Sequence, residues 1–322
     1  MRKLISIGEA LIDFIPIQKG DALKDVLQFK RVAGGAPANV CACVARLGGE
    51  ALMLTKLGED AFGNHIIDQL NQIGVNTSHV LRTNKAHTGL AFVSLKEDGQ
   101  RDFSFYRNPS ADMLLSEDEI HIEIFNQRDI LHFCSVDLID APVKKAHDKA
   151  IEIAREKGLL ISFDPNVRLP LWDDHQVYKK VINQYIDKAD IIKISDEEVT
   201  FITGHHDFEL GIHSLFRGYV KMVILTRGKD GATIYTKKHI VSHEGFKINA
   251  IDTTGAGDAF IGSFLFQLLN EDKLLDQLSK VKLLEYLEFS NAVGAIVSMK
   301  SGAIESMPSY DEVIHFMEMN KI

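Results

Sequence analysis

Cysteine is scarce: three in 322 residues, at Cys41, Cys43 and Cys134. They form no C-x-x-C pair, which excludes a disulfide framework and a paired-cysteine zinc site and makes a cytoplasmic protein the expectation. Cys41 and Cys43 fall in an apolar stretch, where small core side chains are the plain reading. Long apolar runs are lacking too. "MRKLISIGEALIDFIPI" opens like a signal peptide, but Glu9 and Asp13 interrupt it and no small-residue cleavage site follows. No stretch reaches about 18 uninterrupted apolar residues, so no spanning helix is expected. Basic runs are missing, and the formal charge is −9. Neither nucleic acid nor an anionic membrane is an expected partner, and an anionic ligand would need local donors.

Several motifs are also absent. The chain contains no G-x-x-x-x-G-K-[ST], no H-E-x-x-H and no G-x-S-x-G. Its thirteen histidines are scattered, with His205-His206 in a polar loop, and all are read as surface residues.

What remains is a well-supplied α/β chain, 45% hydrophobic and 25% charged. Short apolar runs at 3–8, 51–58, 130–135, 159–166, 190–195 and 221–228 read as strands. Helical stretches lie between them, at 34–49, 63–74, 141–157 and 176–188, a parallel-sheet pattern. Pro37 suits a first helical turn, and Gly48 ends that helix. Further helices are expected from 258 onward and over 283–300. Two segments break the alternation. Residues 13–33 could form short strands, and 88–107 reads as two strands joined at Asp98-Gly99. They fit either a small separate sheet or an antiparallel edge of the main one. A second hairpin is expected where "GKDG" (228–231) leads into "ATIYT".

The chemistry concentrates in "IDTTGAGDAF", residues 251–260. Gly255 and Gly257 let backbone N–H groups approach a ligand closely, and a helix begins immediately after them. The unpaired amides and the helix dipole make an anion hole that needs no Lys or Arg. Asp258 in the first turn could be a helix cap, worth about 1 kcal/mol. It could equally accept a proton from a hydroxyl attacking a phosphorus. A dinucleotide G-x-G-x-x-G would need glycine at Phe260, so that pattern fits worse.

"GGAPANVCACVARLGG" (34–49) and "DTTGAGDAFIGSF" (252–264) closely resemble the two signatures of the ribokinase-like, or PfkB, carbohydrate kinases, in the family's order. The resemblance implies one α/β domain over 1–322, a central mostly parallel sheet flanked by helices, and a small β-sheet lid formed by about 13–33 and 88–107. It also implies ATP, Mg²⁺ and a monovalent cation such as K⁺, and a homodimer through the lid. Carried over by motif, Asp258 looks like the catalytic base and Gly255, Ala256 and Gly257 like the anion hole. Asp13, Gly35 and Asn39 match sugar contacts. Thr226, Gly228 and Gly231 in "TRGKDG" match the nucleotide loop, and Asn291 a position near adenine. Glu198 in "SDEE" matches the Glu of an Asn-x-x-Glu motif that organises magnesium and phosphate, with Ser195 where Asn is usual. Asp252 and Thr254, with backbone near Val297, Lys300 and Gly302, resemble a monovalent-cation site.

"FSFYRNPSADMLL" (103–115) and "SFDPNVRLPLW" (162–172) look like bacterial fructokinases. They imply Arg107 at the sugar, and Asn166 and Arg168 near the sugar or the ATP phosphates. Fructose, phosphorylated at its terminal hydroxyl, is the expected substrate. A 2-keto-3-deoxygluconate kinase is the alternative, because Phe105-Tyr106-Arg107 resembles that group's motif and an Arg there could hold a sugar-acid carboxylate. A catalytically inactive sugar-binding regulator on the same scaffold is the alternative of another class.

Overall fold

The computed structural model describes residues 2–18, 20–95 and 101–320. The turn expected at Asp98-Gly99 lies outside the described residues. Alternation governs the first half. Strand β1 (Lys3–Ile7) is followed by β2 (Leu11–Pro16), β3 (Phe29–Gly34), helix α1 (Ala36–Arg46), β4 (Glu50–Gly58), α2 (Ala61–Gln72), β5 (Val80–Thr83), β6 (Leu90–Leu95) and β7 (Arg101–Tyr106). Then come β8 (Ile130–Cys134), α3 (Pro142–Glu156), β9 (Leu160–Asp164), α4 (His175–Ile186), β10 (Ile191–Ser195), α5 (Asp196–Thr203) and α6 (Phe208–Ser214). The chain ends with β11 (Met222–Thr226), β12 (Ala232–Thr236), β13 (Ile240–His243), α7 (Ala256–Leu269), α8 (Lys280–Ser298) and α9 (Tyr310–Met319).

Nine of these strands make one sheet in the order β13-β12-β11-β10-β9-β8-β1-β4-β5. It is parallel except at β12, which runs antiparallel to β11 and β13, as the "GKDG" turn implies. The period of two along each strand divides the core. Ile191, Met222 and Ile224 face one side and pack with α1, α7 and α8; Ile192, Ile194 and Val223 face the other and pack with α3 and α4. The short strands β5 and β13 had no legible signal, since "VLRT" and "IVSH" are too brief for a periodic pattern.

The second sheet has the order β3-β2-β6-β7, so these four strands form a separate layer and not an edge of the main sheet. Alternation sorts its side chains. Phe14 and Phe92 stack at 4.7 Å on one face, joined by Phe29, Tyr106 and α2's Phe62. Leu11, Asp13 and Ile15 point the other way, towards the C-terminal edge of the main sheet.

Two histidines correct the surface reading. His132 and His147 are fully buried. His132 shares a hydrogen bond with Ser162 Oγ on the next strand, and His147 Nδ1 donates to Val143 O at 2.8 Å. Burial pushes their pKa values down to about 3 and about 4, so both are neutral packing groups. All three cysteines are buried and unpaired, as expected.

Helices α1 and α7 touch through small residues. A Cβ on Gly262 would sit 2.8 Å from Cys43 Cβ and 3.1 Å from Val40 O. Alanine improves helix propensity by about 1 kcal/mol, but overpacking costs about 1–3 kcal/mol. Gly262→Ala should therefore lower stability by about 1 kcal/mol in urea denaturation. An unchanged or raised midpoint would mean the two helices separate freely.

Candidate active site

The parallel strands β1, β8, β9, β10 and β11 all end on one edge, and the small sheet stands over it. Between them lies a cavity of ≈ 800 Å³. Its floor carries Glu9, Gly35, Asn39, Asn166, Lys193 and Asp258. Leu11, Asp13, Ile15, Val93 and Phe105 of the small sheet line it from above.

Asp258 is the centre of the floor. Gly255 takes φ +76° at the head of α7, a left-handed entry that glycine adopts without strain. The helix then presents Asp258 in its first turn, 8% exposed. Its two oxygens are held from different parts of the chain. Asn39 Nδ2 on α1 donates to Oδ2 at 2.8 Å. Asn166 Nδ2, in the loop after β9, donates to Oδ1 at 3.2 Å. Burial raises the Asp258 pKa, while Asn39, Lys193, Arg168 and Asn166 pull it back. The result is a fixed carboxylate with elevated basicity, facing a cavity.

The loop that supplies Asn166 is built with care. Asn166 takes φ +45°, a region that Asn tolerates better than most residues, and its N–H bonds Asp164 Oδ1 at 3.1 Å. Glu198 Oε1 accepts from Val167 N at 2.6 Å, and its Oε2 accepts from Ser195 N at 2.8 Å. Tyr178 Oη accepts from Arg168 N at 3.1 Å and stacks on Trp172 at 4.5 Å. Arg168 itself lines the cavity.

Of the expected anion-hole donors, Gly255 and Gly257 line the cavity at the helix start. Ala256 is a correction: its N–H bonds Thr253 O at 3.2 Å, closing the entry turn. Gly35, with φ +103°, crosses so close to β1 that a Cβ would lie 2.5 Å from Glu9 O. Asp13 lines the roof.

Arg107 stands back from the cavity lining. It is 8% exposed, and Asp112 and Asp137 both bond its Nη2, while Nε is buried without a partner. Glu198 also stays outside the cavity lining, because both its oxygens brace backbone. It therefore holds the Asn166 loop in place.

The expected nucleotide residues sit further along the same edge and do not line the cavity. Thr226 ends β11 beside Ser195, and Gly228 and Gly231 form the next turn with φ +51° and +79°. Asn291 Nδ2 donates to His243 Nδ1 at 3.1 Å. Of the expected cation residues, Asp252, Thr254 and Gly302 converge. Thr254 N and Oγ1 donate to Asp252 Oδ1 at 2.9 and 2.6 Å, and Gly302 N reaches Asp252 Oδ2 at 3.4 Å. Val297 O accepts from Lys300 N at 3.1 Å, whereas the Lys300 side chain turns away to Glu312. Among the described residues no three His, Cys, Asp or Glu side chains gather as a metal site.

Two residues escaped sequence reasoning. Lys193 on β10 reaches the cavity floor and pairs with Asp164 Oδ2 across the strands at 2.9 Å. Its only signal was a charge inside the apolar run "DIIKIS". Glu9 follows β1 by two residues, accepts from Ala36 N at 3.0 Å through Oε1, and leaves Oε2 buried without a partner. Burial lifts Glu9 to about 7, against the pull of Arg107. The folded state therefore holds a proton that the unfolded chain releases near 4.5, so stability falls as pH rises from about 4.5 to about 7. Glu9→Gln keeps the neutral form. Its advantage over wild type should be small near pH 5 and grow to about 2–3 kcal/mol near pH 8 in urea denaturation. An advantage independent of pH would contradict this.

A family model for "pfkB family carbohydrate kinase" matches residues 1–310. The chain is 43% identical to "Probable fructokinase-4" of Arabidopsis thaliana, covering 98% of this chain and 97% of that one. Among solved structures it is similar to a fructokinase with bound ATP from Xylella fastidiosa, with TM-score 0.91 and 31% identity over 99% of each chain. It is also similar to a double-mutant fructokinase from Vibrio cholerae O395 in a form with fructose, ADP and potassium ion bound, at TM-score 0.89, 31% identity and 98% of each chain. The two motifs, the two-sheet architecture and these similarities agree, and the chain belongs to the pfkB family of carbohydrate kinases.

Proposed function

We propose that this chain is an ATP-dependent fructokinase that transfers the γ-phosphoryl group to the terminal hydroxyl, O6, of fructose. The observation that carries this reading is the Asp258 carboxylate, clamped by two amides beside a glycine helix entry and facing a closed-over cavity. Asp258 takes the hydroxyl proton. The sugar oxygen bonds to phosphorus as the bond to the bridging oxygen breaks, and that electron pair leaves with ADP. The amides of Gly255 and Gly257 donate to the phosphoryl oxygens. Asp13 and Asn39 Oδ1, which has no partner, accept from sugar hydroxyls.

Strands β2, β3, β6 and β7 act as a lid on the single kinase domain, and its closure excludes water. ATP lies along the sheet edge towards Thr226, Gly228, Gly231 and Asn291. Magnesium would arrive on the nucleotide phosphates, since among the described residues no three His, Cys, Asp or Glu side chains gather to hold it, and would neutralise their charge. A monovalent cation would sit by the Asp252 and Thr254 turn, adding positive charge beneath the helix entry. A second copy covering Ile17, Leu27 and Tyr106, the exposed apolar residues of the small sheet, would give a homodimer.

The relatives named as fructokinases, one of them with fructose bound, favour fructose over a sugar acid. The intact base and glycines argue against an inactive sugar-binding regulator. A coupled assay with ATP over fructose, 2-keto-3-deoxygluconate, ribose and a nucleoside, with and without K⁺, should show the highest kcat/KM for fructose. A higher value for the keto acid would overturn the substrate. Asp258→Asn should cut kcat by about 10²-fold or more and leave fructose affinity within about threefold. Near-normal turnover would remove Asp258 from its role.

A further inference from the structure

Lys193 is an unusual residue for a central strand. It lies on β10, 6% exposed, among Ile191, Ile192 and Ile194. A buried ammonium is costly, and a salt bridge is poor compensation if stability is its only purpose. Its position points elsewhere. The parallel register sets it opposite Asp164 at the C-terminal ends of β9 and β10, on the side of the sheet that faces α7. The ammonium lies 3.2 Å from where a Cβ on Gly257 would be, so that missing side chain leaves room for it. Despite burial, Asp164 first, then Glu198 and Asp258, keep Lys193 protonated. Asp164 engages one side of an ammonium that carries three N–H donors.

The charges near the floor make the need plain. Asp258 and Asp164 both lie close to the helix entry, and a phosphoryl group brought there adds negative charge beside them. The helix amides contribute only partial charges. Arg168 spends one donor on its own loop, Nη1 to Val167 O at 3.1 Å. Lys193 is a full cation next to Gly257, and it lines the cavity.

We propose that Lys193 is a catalytic residue that donates hydrogen bonds to the non-bridging oxygens of the transferring phosphoryl group, with Asp164 as the positioning residue that holds the ammonium in place. The role rests on the kinase reading above, and it moves no proton. The ammonium stabilises charge while the hydroxyl proton goes to Asp258. Gly257 then has two duties: its amide points at the phosphoryl group, and its bare Cα leaves the lysine a way in.

The test pairs steady-state kinetics on fructose with calorimetric titration of two probes, ADP and the non-hydrolysable ATP analogue AMP-PNP. Lys193→Met should lower kcat by about 10²-fold or more while leaving KM for fructose within about threefold. It should weaken AMP-PNP by about tenfold and ADP by less than about twofold, because only AMP-PNP carries the third phosphate. Lys193→Arg should recover part of kcat. If Lys193→Met does not fold with Asp164 unpaired, Lys193→Met with Asp164→Asn removes both charges together and should show the same discrimination. A kcat within about threefold of wild type overturns the assignment. So does an equal loss of both nucleotides and fructose accompanied by a lowered melting temperature, the mark of a structural pair. If the wild-type chain ignores fructose but its preference for AMP-PNP depends on Lys193, the sugar reading fails and this one stands. If fructose is turned over equally well without Lys193, the reverse holds.

Discussion

Everything at the site depends on one carboxylate being held still. Asp258 would be free to rotate in a looser pocket, and its first-turn position alone would make it a helix cap. Two amides prevent that. Asn39 Nδ2 reaches it from α1 and Asn166 Nδ2 from the loop after β9, each to a different oxygen. Three distant pieces of chain therefore meet at one side chain. The close α1–α7 contact through Gly262 and Cys43, and the bracing of the Asn166 loop by Glu198 and Tyr178, serve that meeting. A fixed acceptor spends no reorganisation energy when the proton arrives, which is the physical meaning of preorganisation.

The second constraint is alternation in the small sheet. Because side chains alternate along a strand, one layer can do two jobs. Phe14, Phe92 and Tyr106 build an aromatic face that packs with α2's Phe62. Leu11, Asp13 and Ile15 line the cavity from the opposite face. A slip of one residue would exchange the two sets, so the aromatic cluster fixes the register that delivers Asp13 to the cavity.

What could be read from the sequence was local. Gly35, Gly255 and the acid after them announce themselves because a positive φ and a helix start are properties of a few adjacent residues. The hairpin pattern over 88–107 marked a departure from alternation, but the main sheet itself takes up the β11–β12–β13 hairpins, so only the family resemblance pointed to a separate layer. Pairings across the chain were not legible. Nothing in "FYR" says that Arg107 Nη2 meets both Asp112 and Asp137, and nothing in "SDEE" says that Glu198 turns to hold Val167 N. Buried His132 and His147 look like surface histidines until the strand and helix beside them are placed. Lys193 was the hardest, since a lone lysine in an apolar run resembles a strand edge until Asp164 is set opposite it.

An acidic protein that handles an anionic nucleotide poses a problem of scale. A net charge of −9 acts over the whole surface, where salt screens it beyond about 8 Å. The site answers at short range. Donors from the head of α7, with Lys193 and Arg168 nearby, act within a few ångströms, and the small sheet above them limits the water that would weaken each interaction. Closing the cavity thus raises the worth of every donor just when charge is moving. The same closure would repel the phosphates if Asp258, Asp164 and Glu9 were all charged and unpaired. Two devices guard against that: Asp164 is paired with Lys193, and burial raises Glu9 to about 7. Raised basicity at Asp258 and reduced repulsion at Glu9 are two effects of one cause, the removal of water from a floor lined with carboxylates.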